Sequence, residues 1–131
     1  MGEILVSAVV MRNEGGRVLN VRKRGTDSFM LPGGKPEPGE TPAETAAREF
    51  EEELGVALDP ARLRYLGEFR APAANEAGFD VVAHVFEHDL VGGISVRAEI
   101  DVLEWVDPRS DREDLAPLNT LHVFPALRAR G

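Results

Sequence analysis

Apolar and polar residues alternate along the first part of the chain, in a pattern typical of a β-strand. In the segment 3–11 the apolar residues recur at every second position: Ile4, Val6, Ala8 and Val10. A turn-forming cluster at 13–16 separates this segment from a second apolar run at 17–21. Period two places alternate side chains on one face, so the pattern predicts a β-hairpin. A short strand at 29–31 is predicted next, ended by Pro32 and the two glycines after it.

A helical pattern follows, and both of its ends are marked. Thr41 and Glu44 have the spacing of a capping box, Pro42 suits the first helical position, and Gly55 suits a left-handed C-cap. The predicted helix therefore runs from Pro42 to Leu54. Four residues at helical spacing form the face expected to pack on a sheet: Ala43, Ala47, Phe50 and Leu54.

The rest of the chain is predicted to add three strands and one helix. Apolar and aromatic residues suit strands at 63–69, 79–86 and 102–106. A last helix is expected near 120–130, with Pro125 tolerable only in its first turn. This order predicts an α+β domain in which helices flank a curved mixed sheet. The length of 131 residues fits a single domain, 1–131.

Composition excludes several classes of function. A net charge of −8 argues against binding a nucleic acid polymer, whose affinity comes mostly from basic residues. The absence of cysteine excludes disulfides, zinc-thiolate sites and thiol nucleophiles, and permits a reducing compartment. The apolar run 4–11 is too short to span a bilayer, and no Lys or Arg precedes it as a signal peptide would require. We therefore expect a cytoplasmic protein without membrane contact.

The acidic charge is concentrated on the predicted helix and the loop before it. Between Gly34 and Gly55 there are seven acidic residues against two basic ones. Glu49, Glu52 and Glu53 stand at i, i+3 and i+4, so their carboxylates share one face and repel each other. A solvated helix surface would explain a bare run of glutamates. Alternatively, the three glutamates could bind a divalent cation such as Mg²⁺, which prefers carboxylate oxygens. They would then form a metal site that acts on phosphate.

The residues around the glutamates favour the metal site. From Gly34 the chain reads Gly, five residues, Glu40, seven residues, then Arg48-Glu49-Phe50-Glu51-Glu52-Glu53-Leu54-Gly55-Val56. This resembles the Nudix box at every specified position. The resemblance implies an α/β/α sandwich and assigns roles to the residues of the box. Glu49, Glu52 and Glu53 would be metal ligands, Arg48 would orient a ligand carboxylate, Glu40 would support the site, and Gly34 and Gly55 would shape the backbone.

The same resemblance implies a further carboxylate near a late strand. Glu99 is the candidate, as an additional metal ligand and catalytic residue that could deprotonate the attacking water. Asp101 and Glu104 compete for this role, and for any one of the three a solvated strand-edge carboxylate is the plainer interpretation.

Substrate-binding residues are predicted outside the box. Lys35 follows Pro32-Gly33-Gly34 as in the MutT-like branch, and Arg22, Lys23 and Arg24 could add phosphate contacts, with Arg22 and Arg24 chosen as candidates. Asn119, in a Pro-x-Asn segment, could read a base edge or instead cap the last helix. Phe29 or Phe79 could stack on the base, although core packing is the plainer interpretation for both.

The resemblance implies a Nudix hydrolase that uses Mg²⁺, for which Mn²⁺ could substitute. Water would attack a phosphoanhydride of a nucleoside triphosphate, for example 8-oxo-dGTP, and give a nucleoside monophosphate and pyrophosphate. A nucleoside diphosphate linked to another group, such as ADP-ribose, is an alternative substrate, and a non-catalytic nucleotide-binding module is an alternative function. Nudix proteins often form homodimers, so a homodimer is also expected, although no segment identifies an interface.

Overall fold

The computed structural model describes residues 2–130, which contain six strands and two α-helices. In chain order they are β1 (Gly2–Met11), β2 (Val18–Lys23), β3 (Gly33–Gly34), α1 (Pro42–Leu54), β4 (Arg64–Pro72), β5 (Phe79–His88), β6 (Ile100–Val106) and α2 (Phe124–Ala129). A 3₁₀ turn at Pro60–Arg62 precedes β4. The predicted bounds of α1 are confirmed at both ends.

β1 is an inner strand of a mixed four-stranded sheet with the order β3-β1-β5-β4. It runs parallel to β5, from Gly2 opposite Phe79 to Met11 opposite His88, and antiparallel to β3. β2 and β6 form a separate antiparallel pair. The predicted α+β fold, a mixed sheet flanked by helices, is therefore confirmed.

Both faces of β1 are covered over its second half, residues 7–11. Ala8 and Val10 belong to a hydrophobic cluster that includes Phe124 of α2, whereas Val9 belongs to a second cluster that includes Phe50 of α1. Successive side chains of a strand point to opposite faces, so the two helices lie on opposite sides of the sheet. The alternation predicted for β1 is present, but its second face is also buried because α1 covers it.

The predicted hairpin between the first two strands is wrong. Beyond a single bridge between Arg12 and Val18, β2 leaves β1 and pairs along its length with β6. The turn itself forms as expected, with Asn13 Oδ1 accepting hydrogen bonds from the Gly15 and Arg17 backbone N–H groups at 3.1 and 2.9 Å. β2 cannot extend the pairing because β3 and β5 occupy the two edges of β1.

The predicted strand at 29–31 is also wrong. Phe29 and Met30 make only isolated bridges, and the strand forms instead at Gly33–Gly34, which we expected to end it. A Cβ atom at Gly33 would lie 2.2 Å from the Ser7 carbonyl oxygen of β1. Only glycine permits this close pairing of the two backbones.

The last helix begins as a π-helical turn at Asn119–Val123, where the Phe124 N–H donates to the Asn119 carbonyl oxygen. Pro125 lies in the first turn of α2, but α2 continues the π-helical turn without a break, so the prediction that Pro125 would lie in the first turn of the last helix is wrong. Among residues 2–130, no helix is long and apolar enough to cross a membrane.

Candidate active site

Helix α1 carries the acidic residues and is fixed at both ends. The Thr41 side chain accepts a hydrogen bond from the Glu44 N–H, the Glu44 carboxylate accepts one from the Thr41 N–H, and Gly55 ends the helix with a left-handed φ of 78°. Phe50 and Leu54 are fully buried against the sheet. Glu53, one residue before Leu54, turns into the protein with an exposed fraction of 3%. The packing of the apolar face therefore fixes where the carboxylates lie.

Arg48 joins the carboxylates of the loop and the helix. Its Nε lies 2.6 Å from Glu40 Oε2, and its two terminal nitrogens lie 2.9 Å from Glu49 Oε2 and from the Lys35 carbonyl oxygen. A weaker contact of 3.2 Å reaches Glu52, whose side chain is half exposed. Hydrogen bonding to Arg48 lowers the pKa of Glu40 to about 2. The guanidinium thus keeps Glu40 ionised and orients Glu49.

Glu53 is a buried carboxyl group that forms no salt bridge within the described residues 2–130. Its Oε1 accepts a hydrogen bond of 3.1 Å from the Gly33 N–H. Burial raises the pKa of Glu53 to about 8; Lys23 and the Gly33 N–H oppose this shift, whereas Glu49 and Glu99 add to it. Burial also raises the pKa of Glu49, against the opposing effect of Arg48. Glu53 therefore needs additional positive charge if it is to be ionised at neutral pH.

The glycines of β3 let the strand approach these carboxylates. A Cβ atom at Gly34 would lie 2.4 Å from the Glu49 carboxyl carbon. The Gly33 N–H points at Glu53, as its hydrogen bond requires. Gly34, the first glycine of the predicted box, therefore has to be glycine in this structure because a side chain there would clash with Glu49.

A cavity of about 390 Å³ opens beside α1 and β3. One part of its lining is charged and consists of Lys23, Lys35, Glu49, Glu76 and Glu99. Another part is apolar and includes Ile4, Val6, Met30, Leu31 and Leu118. The volume is that of a small-molecule site, and the lining suits a ligand that has both charged and apolar groups.

Of the predicted phosphate-binding residues, Lys35 lines this cavity. Arg22 lies elsewhere, 3.4 Å from Asp101 and with its guanidinium 5.4 Å from the centre of the Phe29 ring. Arg24 is not part of the lining, and its backbone N–H donates to the Glu99 carbonyl oxygen at 2.7 Å. Lys23, which was not among the chosen candidates, lines the cavity, whereas Arg22 and Arg24 do not.

The alternation of β2 explains this difference. Val21 packs in the cluster beneath α1, so Lys23, two residues later, emerges on the same side of the strand. Arg22 points to the other side, where Phe29 belongs to the opposite cluster. Strand alternation identifies Lys23 once it is known which face of β2 is covered by α1. The sequence alone does not show which face that is.

Glu99 is placed differently from its two competitors. It lines the cavity and lies 3.5 Å from the Lys23 Nζ. Asp101 is paired with Arg22, and Glu104 is paired with Arg112 at 3.1 Å. Only Glu99 of the three shares the cavity with Glu49. Its catalytic role stays a prediction.

The residues suggested for base recognition are mostly enclosed. Asn119 is fully buried and its amide nitrogen donates to Asn20 Oδ1 at 2.8 Å, while its side-chain carbonyl oxygen has no hydrogen-bond partner among residues 2–130. The side chain does not cap the last helix. Phe29 is buried in the core, and Phe79 is 39% exposed at the start of β5. Neither aromatic ring lines the cavity.

The donor set fits a hard divalent cation. Within residues 2–130, no three His, Asp or Glu side chains are clustered closely enough to hold a metal ion as they stand. Glu49 and Glu52 are held by Arg48, and Glu53 by Gly33. Carboxylate oxygens are nevertheless the ligands that such ions prefer, and the raised pKa of buried Glu53 marks a place where positive charge is needed. Glu49, Glu52 and Glu53 would hold the ion, and Glu99 lines the same cavity as Glu49.

Comparison with known proteins gives a consistent result. The NUDIX domain family matches residues 3–123. A MutT-like protein from Streptomyces ambofaciens is 30% identical over 129 residues, which make up 98% of this chain and 79% of that relative. An 8-oxo-dGTP diphosphatase from Haemophilus influenzae is 41% identical over 73 residues, or 53% of this chain and 54% of that relative. The solved MutT protein from Methanosarcina mazei Go1 has a TM-score of 0.79 at 25% identity, covering 98% of this chain and 95% of that structure.

The chain therefore belongs to the Nudix family, and the resemblance predicted from its box is confirmed. Within the family it is MutT-like, a hydrolase that acts on phosphoanhydride bonds.

Proposed function

We propose that this Nudix hydrolase uses Mg²⁺ to cleave a nucleoside triphosphate into a nucleoside monophosphate and pyrophosphate, with an oxidised purine such as 8-oxo-dGTP as the leading candidate. The observation that carries the proposal is one cavity whose lining combines two lysines and three glutamates with apolar residues of β1, of the segment 30–31 and of Leu118. The 8-oxo-dGTP diphosphatase from Haemophilus influenzae, similar over about half of this chain, supports the choice of substrate.

The charged part of the cavity suits a polyphosphate. Lys23 and Lys35 supply ammonium groups that would pair with phosphate oxygens. A bound divalent cation would polarise the phosphoryl group and acidify a water molecule. Glu99 would accept a proton from the attacking water, and Arg48 would keep Glu49 in position. The new bond joins the water oxygen to phosphorus, and the bond from phosphorus to the bridging oxygen breaks.

The apolar part of the cavity suits a base and sugar. Met30, Leu31 and Leu118 would bury the nucleoside face, and burial of apolar area favours binding. Asn119 lies next to Leu118 in sequence, and its unpartnered carbonyl oxygen could accept a hydrogen bond after a side-chain rearrangement. Asn119 is therefore the candidate for base selectivity.

A screen of nucleoside phosphates with identification of the products tests the proposal. A triphosphate substrate should release pyrophosphate, whereas ADP-ribose would give AMP and ribose phosphate. Each substrate is assayed with Mg²⁺, with Mn²⁺ and with EDTA, and only the two metals should sustain turnover. A preference for ADP-ribose would overturn the substrate class. Tight nucleotide binding without product under every condition would instead indicate a regulatory module.

A further inference from the structure

A second cavity, of about 430 Å³, lies at the opposite end of β6 from Glu99. It is lined by the turn after β1, the residues after β6 and the end of α2: Arg12, Gly15, Gly16, Arg17, Asp107, Pro108, Arg109, Leu127 and Arg128. None of these residues lines the cavity beside α1. A seven-residue strand spans about 23 Å, so the two cavities are separate sites. We name the second one the arginine pocket.

The arginine pocket carries a local excess of positive charge. Four arginines line it against one acid, Asp107, although the chain as a whole has a net charge of −8. Asp107 is already engaged, since Arg109 Nη2 lies 2.9 Å from its Oδ2 and the Arg109 backbone N–H donates to its Oδ1. Among residues 2–130, the other three arginines form no salt bridge. Like charges converging on one cavity repel each other, and a bound anion would relieve this repulsion.

The donors around the pocket are not used up by the fold. Arg12 Nε is buried and has no hydrogen-bond partner within the described chain. Arg128 uses one terminal nitrogen to donate to the Pro108 carbonyl oxygen at 2.8 Å, and its other donors make no hydrogen bond to the residues that the structure describes. Leu127 is fully buried at this place and keeps part of the lining apolar. A guanidinium beside an apolar surface binds an anion more strongly than one in open water.

We propose that the arginine pocket binds a small anion carrying a phosphate or pyrophosphate group. Planar guanidinium forks match pairs of phosphate oxygens, and the cavity volume is within the usual range for small ligands. A small ligand fits better than a nucleic acid polymer, because the arginines converge on a concavity and the rest of the acidic chain would repel a long polyanion. The phosphate group could be free pyrophosphate or part of a nucleotide.

Calorimetric titration with inorganic pyrophosphate, in EDTA and at low salt, tests the proposal. The variant R17Q/R128Q removes two charges at exposed positions, and R62Q/R64Q removes two exposed charges outside the pocket as the matched control. We expect the dissociation constant to rise by about tenfold or more in the first variant and to stay near the wild-type value in the control. Thermal unfolding of each variant verifies that it is folded.

A parallel titration of ADP identifies the source of the phosphate. If ADP binds more tightly than pyrophosphate and loses this binding in R17Q/R128Q, the pocket binds a nucleotide. If ADP binds more weakly than pyrophosphate, the pocket binds inorganic pyrophosphate. The proposal is wrong if pyrophosphate fails to bind, if R17Q/R128Q binds it as tightly as wild type, or if a single-stranded oligonucleotide binds there more tightly than either small anion. The result does not depend on the substrate of the cavity beside α1.

Discussion

Replacing Glu53 by glutamine should stabilise the metal-free protein at high pH while abolishing most of its activity. Gln is nearly the same size as Glu and can still accept the hydrogen bond from the Gly33 N–H, so the packing around the side chain is preserved. What the substitution removes is a carboxyl group that is 3% exposed and must ionise at high pH.

The size of the effect follows from the pKa of Glu53, which rises from its ordinary 4.5 to about 8 on folding. The folded protein then holds the proton more tightly than the unfolded chain, so the stability from this group is complete below pH 4.5 and is lost as pH rises to about 8. One pKa unit is worth ~1.4 kcal/mol, which sets an upper limit of roughly 5 kcal/mol. Local relaxation around the charge should reduce this to ~2–4 kcal/mol.

Urea unfolding at pH 5 and pH 9, in EDTA and in Mg²⁺, measures this effect. In EDTA we expect E53Q to match the wild type near pH 5 and to exceed its free energy of unfolding at pH 9. Mg²⁺ should stabilise the wild type more than E53Q, because the variant has lost a ligand charge. Turnover of E53Q should fall by about a hundredfold or more. The exposed neighbour Glu51 supplies the control E51Q, which should change neither property. Equal stability of wild type and E53Q at pH 9 in EDTA would refute the desolvation argument.

Three further substitutions test other parts of the site. Gly33→Ala should lower stability by about 3 kcal/mol in thermal unfolding, because its Cβ would lie 2.2 Å from the Ser7 carbonyl oxygen, whereas Gly92→Ala enters open space and should be neutral. Arg48→Lys keeps the charge but loses the forked donors, so kcat/KM should fall by about tenfold or more with the secondary structure by circular dichroism unchanged; full activity would remove Arg48 from the site. Asn119→Ala should alter selectivity among bases more than the metal requirement, and an equal loss with every nucleotide would contradict that role.

The features that could be read from the sequence are those fixed over short stretches of chain. The bounds of α1 depend on Thr41, Glu44 and Gly55, each of which acts on the backbone of the same or the adjacent turn. The common face of Glu49, Glu52 and Glu53 is likewise a consequence of helical spacing. The family was identifiable because its box lies on this one loop and helix.

The features that could not be predicted from the sequence depend on contacts between residues far apart in the chain. The pairing of β2 with β6 joins residues about eighty positions apart, and the pairing of Gly33 with Ala8 depends on how closely two backbones can approach. Lys23, not Arg22 or Arg24, faces the cavity because α1 covers one particular side of β2. The arginine pocket joins the turn after β1, the end of β6 and α2, three segments with no shared local pattern. Helical periodicity and capping act within a few residues, but the choice of strand partners and of the buried face minimises the free energy of the whole chain, and no local stretch encodes it alone.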